Sequence, residues 1–361
     1  MSLKKGSDEY VKLIDLRRDT ITLPTEKMIE AARHAPLGDS VYGEDPSQVA
    51  LEEFAADFLG KEEALFVPSG TMGNLIALLS HTHRGDEVIL EENAHIRLSE
   101  TGGGAVVGGL MFRGIADASG IPKTTAIENA IRSDDIHYPP TGLICTEITH
   151  YRYGGIIPPL DRIQAVKTLA QRYGLPVHCD GARLLNAVVA LDTDVQSLTR
   201  WADSVMISLS KGLSAPIGSI LAGSRPFIQK AKRYRKMLGG GMRQTGWLCA
   251  CGLVALQKDN IDVLRQDHQN ARVLAEGLAR LPGMKIDLNQ VQTNFVLVDI
   301  TETGITSKEM IDQLNMVGIL ATRAGTYTIR FVTSRMVTNN DIQIALSAIS
   351  NLWNKIGIHA K

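Results

Sequence analysis

The stretch VHCDGARLLNA, residues 177–187, decides how this chain is read. Val177–Cys179 is a short apolar run, and an acid, Asp180, stands at its end. Gly181 follows, and then apolar residues at helical spacing. A strand that turns directly into a helix is the unit of an open α/β sheet, and ligands of such sheets bind beyond the carboxyl ends of the strands. Asp180 is therefore a candidate site residue, and Arg183, three positions on, can reach the same place. An Asp here also suits a helix N-cap, so the residue alone leaves both readings open.

The same pattern extends outward in both directions. A helix is expected after Ser47, with Val49, Leu51, Phe54, Ala55, Phe58 and Leu59 as its apolar positions and Gly60 as its stop. Strands are expected at 64–67, 87–90, 143–147, 176–179, 204–208 and 219–222, and helices at 74–81 and 163–173. This alternation from about 46 to 230 predicts an α/β domain with a mostly parallel sheet. From about 256 the order changes. A helix near 262–280, a strand at 294–298, a helix near 307–316, a strand at 327–332 and a last helix from about 339 predict a smaller α+β domain. The expected division is 1–45 as an N-terminal arm, 46–255 as the large domain and 256–361 as the small one. The Gly-rich, basic stretch MLGGGMRQTG (237–246) is read as a linker region.

Two further segments carry chemistry. In SLSKGLSAPIGS (208–219), Lys211 follows an apolar strand among Ser and Gly, which leave room for a bulky group beside the amine. Partial desolvation there lowers the pKa of a lysine and suits it to a Schiff base. Taken alone, such a lysine is more commonly an ordinary loop residue. In PSGTMGN (68–74) a strand runs through Ser-Gly-Thr into a helix, an arrangement that can bind a phosphate. A phosphate turn, then an acid at a strand end, then a lysine about thirty residues later all fall at one edge of one sheet. An acid so placed can keep a pyridine nitrogen protonated, and that makes the ring an electron sink.

Composition narrows the class. The 361 residues are 44% hydrophobic and 21% charged, an ordinary globular balance with length enough for two domains. With 38 Lys plus Arg against 39 Asp plus Glu, nothing points to nucleic acid. Nine His show no metal-ligand spacing, and no metal is expected. Cys145, Cys179, Cys249 and Cys251 form no C-x-x-C pair, and buried free thiols in a reducing cytoplasm are expected. No signal peptide and no run long enough for a membrane span are read; AVVGGLMF (105–112) is apolar but too short.

These marks, together with GDSVYGEDPS (38–47), CTEITH (145–150) and RKMLGGGMRQTG (235–246), give the chain a resemblance. From DLRRDT (15–20) to IRFVTS (329–334) it resembles the threonine aldolase/β-eliminating lyase family of fold-type-I enzymes dependent on pyridoxal 5'-phosphate (PLP). The resemblance implies an aspartate aminotransferase-like fold: a large domain with a mixed, mostly parallel seven-stranded sheet and a smaller α+β domain. It implies that Lys211 holds PLP as a Schiff base and that Asp180 pairs with the ring nitrogen. Arg183 would lie by the ring hydroxyl and the substrate carboxylate. Gly70 and Thr71 would bind the phosphate, His95 would stack on the ring, and His150 would lie near the substrate hydroxyl. Arg330 would grip the substrate carboxylate as a bidentate fork, a geometry guanidinium suits. Lys236 and Arg243 would serve a neighbouring subunit's phosphate, making the site intersubunit and the protein a homotetramer. Tyr42 and Glu44 are placed at the site wall or a subunit contact.

The implied reaction is retro-aldol cleavage of L-threonine, L-allo-threonine or a related L-β-hydroxy-α-amino acid to glycine and an aldehyde, with His95 or His150 as base. The rival enzyme readings are a β-eliminating lyase, releasing ammonia and pyruvate, and an aminotransferase. A non-catalytic subunit of the same fold is the rival outside enzymes. The chain departs from the family pattern in three places. Arg18 stands where a Ser is common near the substrate carboxylate, Ile96–Ser99 replaces aromatic residues, and Tyr151 replaces an Asn. Arg18 and Arg97 could favour an acidic β-substituent, or pair with acids and point away.

Overall fold

The computed structural model describes residues 2–5 and 9–356. The chain divides into two compact units: residues 23–261, and a second that joins the stretch up to Thr22 with residues from Asp262 onward. The expected arm of residues 1–45 is thus split at Thr22, and the expected boundary at 255 falls at 261. Packing explains the split. Ile14 and Leu16 are buried in the second unit's core with Leu274, Phe331 and Ile342. Residues Glu26–Arg33 instead form a helix capped by Thr25, which buries Met28 in the large unit.

The large unit carries one seven-stranded sheet. Numbered in chain order within it, the strands are β1 (Glu63–Val67), β2 (Glu87–Glu91), β3 (Met111–Ile115), β4 (Thr141–Glu147), β5 (Val177–Gly181), β6 (Ser204–Ser208) and β7 (Ser219–Gly223). They lie side by side as β1-β7-β6-β5-β4-β2-β3. Only β7 runs against its neighbours, so the other six end at one common edge. Strands β2, β5, β6 and β7 are buried at every residue, as strands covered on both faces are. Leu65, Val67, Met206 and Leu221 pack against Ile76 and Ala77 of the helix Gly70–His81 and against Phe227, Ile228 and Ala231 of the helix Arg225–Met237.

Several local expectations shift, each for a physical reason. The helix after Gly43 begins at Pro46, not beyond Ser47, because the Asp45 carboxylate accepts the Gln48 N–H at 2.9 Å. Gly60 ends it with φ +61°, the left-handed conformation glycine adopts without strain. The helix expected from Asn74 begins at Gly70, where the Ser69 hydroxyl accepts the Met72 N–H. Strand β3 has no counterpart in the sequence reading. It lies at the sheet's edge and is half-buried, so its residues need no apolar pattern. Residues 237–246 do not join the units; they connect the helices Arg225–Met237 and Gly246–Ala255 inside the large one.

In the second unit, Thr328–Val332 lies between Phe295–Asp299 and Thr322–Arg323 in an antiparallel sheet. Ile14–Asp15 pairs with Ile319–Leu320 in the same unit. Helices Leu264–Leu278, Ser307–Met316 and Asn339–Ile356 also belong to it, and the second is opened by a capping box of Thr306 and Glu309. Trp353, buried in the core, donates its Nε1–H to the Pro282 carbonyl at 2.8 Å. Among the described residues no helix is long and apolar enough to cross a membrane.

Asp45 does more than cap a helix. Its buried carboxylate also accepts the N–H groups of Gly246 (2.9 Å) and Gly38 (3.3 Å). Asp45→Ala leaves these donors without an acceptor and should cost about 2–4 kcal/mol. Thermal melting checks this: Asp45→Ala should melt several degrees lower, with Asp45→Asn in between.

Candidate active site

The carboxyl ends of β1, β2, β4, β5 and β6 deliver the candidate residues to one edge of the large unit. Past β1, Ser69 opens the helix that starts at Gly70 and Thr71. The first N–H groups of a helix have no partner inside it and favour an anion. A Cβ on Gly70 would meet the Met206 side chain at 3.1 Å and Ser219 Oγ at 3.5 Å, so glycine lets this turn lie close on β6 and β7. Past β6 comes half-buried Lys211. Its carbonyl accepts the N–H of Ser214, which turns the chain with φ +68°. Such a conformation in a non-glycine residue costs on the order of 1 kcal/mol and marks a constrained loop.

Asp180 lies within β5 and is 2% exposed. One carboxylate oxygen accepts the Ala182 N–H at 3.0 Å, and the other accepts the Asn74 amide at 2.9 Å. It does not cap the following helix, which starts at Leu184 with Arg183 at its N-cap. Asn74 also donates to Glu100 at 2.8 Å, and its carbonyl oxygen lies 3.1 Å from His178 Nε2. His178 Nδ1 and His81 Nε2 then share the Ser204 hydroxyl at 2.8 and 2.7 Å. On the open side, Glu100 meets His95 Nδ1 at 3.0 Å. His95, Glu100 and Asp180 thereby bring their polar atoms within 4.8 Å of one another.

The two candidate histidines differ. The His95 side chain is 31% exposed, while that of His150 is fully buried, with Nε2 2.9 Å from Glu91 and 3.9 Å from Glu147. Glu91 also accepts from the Tyr153 hydroxyl at 3.0 Å and the Asn93 N–H at 2.6 Å. Burial opposes protonation of both histidines, but the carboxylates around them win and raise both above the ordinary imidazole value. Burial holds the Glu100 and Glu147 carboxyls above the usual range, though His95 and His150 work against it. Glu91 is held low despite its burial by His150, Asn93 and Tyr153. Burial pushes His178 down to about 4 and His81 to about 3, so both are neutral bridges.

The remaining predicted residues fall in several places. Arg183 is buried, with its guanidinium carbon 5.7 Å from the centroid of the Tyr151 ring, and Tyr151 meets His95 edge-on at 5.9 Å. Lys236 lies in the last turn of the helix Arg225–Met237 beside Gly241, and Arg243 pairs with Asp39 at 2.8 Å. Tyr42 and Glu44 are exposed. With Lys236, Tyr42 lines a cavity of about 820 Å³ in the large unit. Arg97 donates to the Glu92 carbonyl at 2.6 Å. Arg330 and Arg18 belong to the second unit. Arg330 is buried on the central strand Thr328–Val332, 5.7 Å from the Phe295 ring centroid, and Arg18 is exposed. All four cysteines are buried free thiols, and burial pushes Cys179 up to about 12.

Sequence reasoning missed Asn74, Glu91, Glu100, Glu147 and His178. All five are buried; Glu91 in VILEE (88–92) and His178 in VHCD (177–180) sit in apolar runs, and that mismatch was the available signal, whereas Glu100 in LSETGG (98–103) carries none.

Comparison with known proteins identifies the family. The family model described as Beta-eliminating lyase matches residues 15–301. A protein of Arabidopsis thaliana named Probable low-specificity L-threonine aldolase 2 is 44% identical over 349 residues, covering 95% of this chain and 98% of its own. A solved Leishmania major threonine aldolase superposes with a TM-score of 0.80 at 20% identity, over 94% of this chain and 99% of that one. A structure described as SPT with PLP superposes with a TM-score of 0.75 at 18% identity, over 96% and 89%. The chain belongs to the beta-eliminating lyase family and has the fold-type-I architecture of PLP enzymes. It is a lyase of that family.

The neutral His178 makes a pH prediction. Its folded pKa of about 4 lies below the ordinary 6.5, so the unfolded chain takes the proton first and stability falls as pH drops from about 6.5 to about 4. His178→Gln cannot titrate. Its stability deficit against the unsubstituted protein should shrink across that window, by on the order of 3 kcal/mol. Melting curves at several pH values measure it, and a deficit that stays constant would show that His178 does not titrate there.

Proposed function

We propose that this protein cleaves L-threonine, L-allo-threonine or a related L-β-hydroxy-α-amino acid to glycine and an aldehyde, with PLP as cofactor. The observation that carries the reading is the set of groups at one sheet edge: a half-buried lysine, a buried carboxylate held by two donors, and an open helix N-terminus. Amine, acid and anion site are the donor set this cofactor requires. The 44% identity to a protein named as a low-specificity L-threonine aldolase supports the choice of reaction.

Each residue has a role in this reading. Lys211 holds the cofactor covalently, and the Gly70–Thr71 turn receives its phosphate. Asp180, oriented by Asn74 and the Ala182 N–H, keeps a proton on the ring nitrogen. When bound, PLP supplies the sink for the electron pair released as Cα–Cβ breaks. The family resemblance assigns the substrate carboxylate to Arg330 and to Arg183. His95, partly exposed and hydrogen-bonded to Glu100, is the group placed to take the β-hydroxyl proton. His150, paired with Glu91, supports that wall from behind. Lys236 and Arg243 serve a neighbouring subunit's phosphate in a homotetramer, and the enzyme works in the cytoplasm on a small amino acid.

Lys211→Ala should abolish turnover, lowering kcat by more than about a thousandfold, together with the imine absorbance of the loaded protein. Retained activity with an unchanged spectrum sinks the assignment. Arg330→Ala should raise KM at least about tenfold; an unchanged KM places the substrate carboxylate elsewhere. Aldehyde and glycine released in equal amounts from L-threonine or L-allo-threonine support the aldolase reaction. Ammonia and pyruvate instead would indicate β-elimination.

A further inference from the structure

Glu147 ends β4 and is 5% exposed. One of its oxygens accepts the His95 N–H at 2.7 Å, and the other accepts the Tyr151 N–H at 2.7 Å. The first oxygen also stands 3.9 Å from His150 Nε2. These donors come from loops that leave different strands, β2 and β4. One buried carboxylate therefore joins the loop of His95 to the loop of His150 and Tyr151. The Tyr151 ring in turn lies between His95 and the Arg183 guanidinium.

We infer that Glu147 is a positioning residue for His95: it fixes the backbone from which the imidazole projects and keeps a negative charge beside the ring. The inference rests on the role given to His95 above. The charged groups facing His95 are Glu100 at 3.0 Å, Asp180 and Glu147, with Arg183 beyond Tyr151. Burial raises the Glu147 carboxyl above the usual range, and His150 and the two backbone donors on opposite oxygens oppose that rise. Both bonds are charge-assisted and short, so losing either is felt at once by the segment it holds.

Glu147→Gln tests this. Its amide must turn an N–H toward either His95 or Tyr151, which breaks one bond, and the charge is gone. Glu147→Asp keeps the charge on a shorter arm. In cofactor-free protein, the rate of His95 carbethoxylation by diethyl pyrocarbonate, read on its peptide by mass spectrometry across pH, gives the histidine's apparent pKa. Glu147→Gln should lower it by about 0.5–1 unit, and Glu147→Asp should leave it near the original value. In loaded enzyme both variants should lose about tenfold in kcat with KM changed less than about threefold. An unshifted His95 pKa in Glu147→Gln overturns the inference. Should that variant fail to fold, full kcat in Glu147→Asp overturns it equally, and a lowered kcat with normal melting upholds it. If the unsubstituted protein releases no aldehyde, the proposed reaction fails while the carbethoxylation result still decides the role of Glu147.

Discussion

A carboxylate inside a protein is stable only where donors replace the water it has lost, and Asp180 imposes that requirement on much of the large unit. It is 2% exposed and accepts from Asn74 and from Ala182. Asn74 must then be fixed in turn, and it is, by Glu100 on one side and His178 on the other. His178 leans on Ser204, which His81 also reaches. The chain of bonds crosses the helix Gly70–His81 and strands β5 and β6. The fold and the site therefore share one polar core, and a half-satisfied version of it would be worse than none.

The sheet topology turns this local demand into a site. Six strands point the same way, so their ends bring residues from distant parts of the sequence to one edge. β7 runs the other way, and the turn from β6 into it presents Lys211. Glycine at 70 lets the helix start settle against Met206 and Ser219, which sets the open helix N-terminus beside the lysine's strand. The short interior strands are covered on both faces, so this edge rests on a packed support.

Around that edge the histidines divide their surroundings unequally. His150 is sealed against Glu91, with Tyr153 and Asn93 closing the pair. His95 opens to the surface with Glu100 behind it. Both rings gain from the same cluster of carboxylates, yet only one of them can meet a small molecule without a rearrangement. Sequence spacing treats the two alike, because EENAHIR and TEITHYR place each histidine just past a strand.

The sequence by itself determined the α/β class, most interior strands, and the residues at or past their ends: Gly70, Asp180, Arg183 and Lys211. Apolar runs followed by Gly, Ser or an acid are local signals, and local signals survive in one dimension. It also supplied the family resemblance, which the 44% identity to a known relative matches. Edge strand β3 escaped it because a half-exposed strand needs no apolar pattern. The attachment of Ile14 and Leu16 to the second unit escaped it because two apolar residues cannot say which core will bury them. Only the tertiary structure decided that Asn74, Glu100 and Glu147 belong with Asp180 and His95. Those contacts span from five to more than a hundred residues of sequence, and they exist because burial forces each polar group to find the partner that folding places nearest.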